Sequence, residues 1–135
     1  MYSPSARSVP EPLSPGDPVR EAVLQAAIAR LDESFGDRVQ VAVEQLNRVG
    51  SWVFLHGRMH GVEGGRPYYA GTVYESRRLD GVMSDAYAVL LKKTEQGRPD
   101  DARSWRLSDY AIGPTDVAWL DWPDKHEAPR ALFGF

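Results

Sequence analysis

Apolar residues recur at helical spacing in one stretch near the N-terminus and at every second position in several stretches after it. Between Asp17 and Gly36, Val23, Leu24, Ala27, Ile28, Leu31 and Phe35 fall on one side of a helix, which predicts an amphipathic helix with a wide apolar face. Asp17 suits an N-cap, Pro18 the first helical position, and Gly36 the left-handed position that closes a helix. Ala22, Ala26 and Ala27 keep part of the surface thin, so the helix can lie close against a sheet.

Past Gly36 the period is two. "RVQVAVEQL" (38–46), "SWVFLHGRMH" (51–60), "PYYAGTVYES" (67–76), "DAYAVLLKK" (85–93) and "SWRLSDYAI" (104–112) read as strands, separated by glycine-containing or hydrophilic turns. The connections are short enough for antiparallel neighbours, whereas parallel crossovers need a dozen or more residues. The pattern therefore predicts an α+β fold: one N-terminal helix packed on a curved antiparallel sheet of four to five strands, with an aromatic C-terminal segment.

Two strands break the one-wet-face rule. Trp52, Val53, Phe54 and Leu55 run continuously apolar, as do Tyr87, Ala88, Val89, Leu90 and Leu91, so both faces of the sheet need cover. One helix covers one face. The other is matched by "IGPTDVAWLDWPDKHEAPRALFGF" (112–135), which carries Trp119, Trp122, Phe133 and Phe135. In this reading Thr115 caps a single helical turn, Trp119 and Trp122 project from the same side of it, and Pro123 ends it. The aromatics then close the sheet within the monomer, or form a homodimer interface or a ligand groove.

Composition narrows the functions. With 135 residues, 42% of them apolar types, the chain is long enough for one core without disulfides, and it has no cysteine. Thiol chemistry and cysteine-ligated metal are thereby excluded. A net charge of −3 gives no electrostatic reason to expect nucleic acid as a partner. No run approaches the roughly 18 apolar residues of a membrane span, so no membrane insertion is expected. Residues 1–16, with Pro4, Pro10, Pro12 and Pro15 among several serines, read as a flexible leader to a single domain over 17–135.

Familiar reactive patterns do not form. His56 and His60 share a strand, so their side chains leave it about 13 Å apart, too far for one ion. "HGRMH" also has glycine where a zinc-binding H-E-x-x-H helix has glutamate. "GVEGG" lacks the order of a phosphate-binding loop, "DGVMSD" lacks the alternating ligands of a calcium loop, and no serine lies in G-x-S-x-G. We expect no metal and no cofactor. Acid–base chemistry by His56 with Asp85 or Asp109 and the Tyr87 phenol remains conceivable, if neighbouring strands bring them into one cavity.

The order of one helix and then a curved antiparallel sheet, ending in "LLKK" and "SWRLSDYAIG", resembles the cystatin-like and NTF2-like superfamilies over roughly residues 17 to 113. More narrowly, "WVFLHG", "AVLLKK" and "IGPTDVAWLDW" with "APRALF" are similar to small uncharacterised bacterial proteins, many of which carry export signals. That similarity implies a periplasmic or secreted location, the alternative being cytoplasmic, and it implies no reaction. The resulting expectation is a non-enzymatic binding or protein-interaction domain. Its candidate contact residues are Trp119, Trp122, Tyr87, His56 and Asp109, and its partner is a protein, a second copy or an apolar small molecule. The competing expectation is a small NTF2-like enzyme or small-molecule binder with a pocket between helix and sheet.

Overall fold

The computed structural model describes residues 11–35, 39–61, 69, 72, 74–114 and 119–133. Asp17 opens the helix as its side chain suits it to do. Its Oδ1 accepts the N–H of Val19 at 2.8 Å, satisfying an amide that the first turn leaves unpaired. Helix α1 runs over Pro18–Phe35 and buries Ala22, Val23, Ala27, Leu31 and Phe35, with Leu24 packed at the margin. The closing Gly36 lies outside the described residues.

Strands β1 (Glu11–Pro12), β2 (Val39–Val49), β3 (Trp52–Gly61), β4 (Ala86–Lys93) and β5 (Trp105–Ile112) pair antiparallel in that order. The chain is thus α+β: one long helix against a four-strand meander, β2 to β5, extended at one edge by two residues. Val49 stands opposite Trp52 across the Gly50-Ser51 turn, where Gly50 takes a φ of 58° that a side chain would strain. Register shifts at Val43/Gln45 and at Leu90/Leu91 bend the sheet. Opposite the first shift, a Cβ on Gly57 would sit 2.6 Å from the Ala42 carbonyl oxygen, so only glycine allows the strands to approach there.

Three expectations change. Residues 67–76 do not supply a strand where they are described. The Thr72 hydroxyl bonds the Tyr69 carbonyl at 2.7 Å and receives the Tyr74 N–H at 3.2 Å, diverting backbone groups from any ladder. The short helix α2 (Glu75–Leu79) follows, and β3 pairs directly with β4. At the other edge the packed chain reaches back beyond Asp17, because β1 pairs with β2 and Leu13 is buried in the core. In the C-terminal segment, Pro123 lies in the first turn of helix α3 (Trp122–His126) rather than after its last, the helical position where a missing N–H is harmless. Thr115 and Phe135 lie outside the described residues.

The continuously apolar strands are buried on both sides. Val53, Leu55, Tyr87, Val89 and Leu91 face α1 in one core. Phe54, Ala88 and Leu90 face the other way, into a second core closed by Trp122, Ala128, Leu132 and Phe133. The Phe54 ring lies 4.7 Å from that of Phe133, and Trp122 meets it edge-on at 6.3 Å. A buried aromatic removes roughly 150–250 Å² from water, worth on the order of 4 kcal/mol before entropy is subtracted. The C-terminal segment is therefore structural cover for the sheet.

Candidate functional site

Strand alternation places Phe54 and His56 on the tail side of β3, two residues apart. Above them the chain turns between Trp119 and Trp122, closed by the Trp122 N–H to the Trp119 carbonyl at 3.1 Å. Both tryptophans thereby reach Phe54, but they end in different surroundings. Trp122 is 4% exposed. Trp119 is only partly buried, its ring 4.8 Å from the His56 imidazole and 5.7 Å from Phe54. Beside it Leu120 is 61% exposed, so an aliphatic side chain and a partly exposed indole adjoin at the surface.

Charged groups edge this ridge. Glu44, the residue added by the β2 bulge, accepts from Arg58 Nε at 2.7 Å, and its other oxygen lies 3.9 Å from His56 Nδ1. The result is a partly exposed aromatic and aliphatic centre with a polar rim. That is the general anatomy of a protein contact surface.

Asp109 belongs to a separate cluster. It lies opposite Leu90 on β5, where its Oδ2 meets His126 Nε2 at 2.8 Å and Lys125 Nζ at 3.1 Å, while Oδ1 accepts the Tyr110 N–H at 2.9 Å. These bonds clamp α3 onto the sheet edge. Burial alone would raise the Asp109 pKa, but the hydrogen bonds from His126, Lys125 and Tyr110 together hold it below the ordinary carboxylate value. A carboxyl with a depressed folded pKa stabilises the fold above its unfolded value of about 3.9, and that contribution is lost as pH falls through the lower folded value. Asp109→Asn is accordingly expected to cost about 1 kcal/mol at pH 7. The difference in urea midpoint between wild type and variant should shrink as pH drops below about 4; a gap independent of pH would show that the clamp contributes no charge-dependent stability.

Tyr87 lies on the opposite face from both clusters. It is fully buried, its hydroxyl donates to the Ala27 carbonyl of α1 at 2.7 Å, and burial pushes its phenol well above the usual range. Asp85 pairs in two-pronged fashion with Arg78, at 3.0 and 3.2 Å. The four groups considered for acid–base work are thus dispersed: His56 against Trp119, Asp109 against His126, Asp85 against Arg78, and Tyr87 behind the sheet. Around Tyr87 the space between helix and sheet is filled by Leu31, Phe35, Val23, Val53 and Val89, all below 2% exposure. Among the described residues no three His, Asp or Glu side chains gather as a metal site.

Sequence reasoning did not single out His126, Leu120, Glu44 or Arg58. The basic "DKH" after the tryptophans was a signal for His126, since cations favour the last turn of a helix. No protein-family model, curated protein or solved structure matches the chain.

Proposed function

We propose that the chain is a non-enzymatic binding domain whose contact surface for a protein partner, or for a second copy of itself, is the Trp119–Leu120 ridge with His56 at its foot. The observation that carries this reading is the 61% exposure of Leu120 beside a tryptophan already held by two rings. A pre-ordered aromatic loses little side-chain freedom on association, which is how such residues come to dominate interfaces. Tyr87 and Trp122 contribute from inside, by holding the sheet and the turn that present the ridge. One long helix followed by four consecutive antiparallel strands supports a cystatin-like or NTF2-like scaffold. The similarity of "WVFLHG" and "IGPTDVAWLDW" to often-exported bacterial proteins supports a periplasmic or secreted setting.

The test is Leu120→Glu, an exposed change expected to move stability by no more than about 0.5 kcal/mol. Sedimentation equilibrium and quantitative capture from a bacterial envelope fraction should show self-association or a specific partner with wild type and its loss in the variant. Identical behaviour of the two proteins would refute the reading.

A further inference from the structure

The register of β3, β4 and β5 places two cations side by side on the tail face of the sheet, away from the Trp119 ridge. Lys92 stands opposite Arg106 on one flank and opposite Trp52 on the other. Both charged side chains are exposed. Like charges directly across an antiparallel pair disfavour the fold, so sheet geometry alone gives no reason for them.

Their surroundings do. Lys92 Nζ lies 4.8 Å from the centre of the Trp52 ring, which restrains it. Arg106 has no hydrogen-bonded or acidic partner among the described residues, whereas Arg58, Arg78, Arg98 and Arg103 each face a carboxylate. Together they line an open groove of about 430 Å³ with Leu107 and Ser108. Ser108 is the residue left unpaired where the register shifts, between Leu107 opposite Leu91 and Asp109 opposite Leu90. Lys93, next along the strand and so on the alternate face, turns its Nζ to the Thr94 and Gly97 carbonyls, and Glu95 is the acidic group of the groove.

We propose that this groove binds a small organic phosphate monoester, with Arg106 and Lys92 holding its phosphate. Two cations at cross-strand spacing match a dianion, and the guanidinium fork matches two phosphate oxygens at once. The groove exceeds a bare phosphate and falls within the size range of small-molecule sites, and the partly exposed Trp52 ring beside Lys92 offers an aromatic surface for the organic part. A bound dianion also removes the Lys92–Arg106 repulsion, so the feature that weakens the empty fold strengthens the complex. The site is independent of the protein-contact ridge.

The probe is phenyl phosphate, titrated at low ionic strength into the isotope-labelled full chain and compared with benzoate, a monoanion carrying the same ring. Saturable amide shifts are expected at Lys92, Arg106, Leu107 and Ser108, with phenyl phosphate bound about tenfold or more tightly than benzoate. Arg106→Glu should abolish these shifts and at the same time raise the thermal midpoint, since a like-charge pair becomes an opposite one. Arg77→Gln, an exposed change on α2, should leave binding unaltered. Shifts that grow linearly without saturating, equal affinity for the two probes, or unaltered binding by Arg106→Glu would each overturn the proposal.

Discussion

Trp122→Ala is expected to destabilise the protein by about 3–5 kcal/mol, the range for deleting a large aromatic from a packed core. The side chain is 4% exposed and bears on Phe54 of β3 and on Phe133 near the end of the described chain, so its removal leaves a cavity between them. Relaxation into that cavity would require α3 to move, and the Asp109 clamp opposes it. For a domain of this size the thermal midpoint should fall by roughly 10–20 °C. Urea unfolding with a two-state fit is the direct measurement; a loss below about 1 kcal/mol would mean that the C-terminal segment does not serve as the cover of the sheet.

Tyr87→Ala should cost a similar amount, about 3–5 kcal/mol, from the other side of the same sheet. Tyr87→Phe separates the ring from the hydroxyl. It keeps the buried area and loses only the bond to the Ala27 carbonyl, so about 1 kcal/mol is expected. Trp122 and Tyr87 lie in different cores and share no partner among the described residues, so their costs should add. The sum, roughly 6–10 kcal/mol, is comparable with the entire stability of a typical domain, about 5–15 kcal/mol. The double variant is expected to be largely unfolded at room temperature, as read by loss of near-ultraviolet circular dichroism. A double variant no weaker than either single one would show that the two faces unfold as one already-broken unit.

What was legible beforehand follows from how local each cause is. The start of α1 was readable because cap, proline and apolar spacing all lie within the segment they specify. The burial of both faces was readable because Trp52–Leu55 and Tyr87–Leu91 contain no polar residue that could face water. Residues 67–76 misled because their tyrosines and β-branched residues suggest a strand, while a Thr72 hydroxyl bonding its own neighbourhood outweighs that preference. The two residues of β1 have no periodicity to detect, and Pro12, lacking an N–H, is acceptable in a sheet only at an edge. Pro123 was ambiguous in principle, since proline suits the residue after a helix and its first turn equally well. In the candidate site, His56 with Trp119 and Asp109 with His126 are contacts between distant segments. They depend on where the tail docks and how the bulge at Ser108 turns β5, neither of which short-range spacing encodes.

The second core also has a temporal meaning. Synthesis proceeds from the N-terminus, so α1 and the five described strands leave the ribosome before the residues that shield Phe54 and Leu90. For that interval the nascent chain carries an uncapped hydrocarbon wall, which stays open until the tryptophan-bearing segment folds down to shut it.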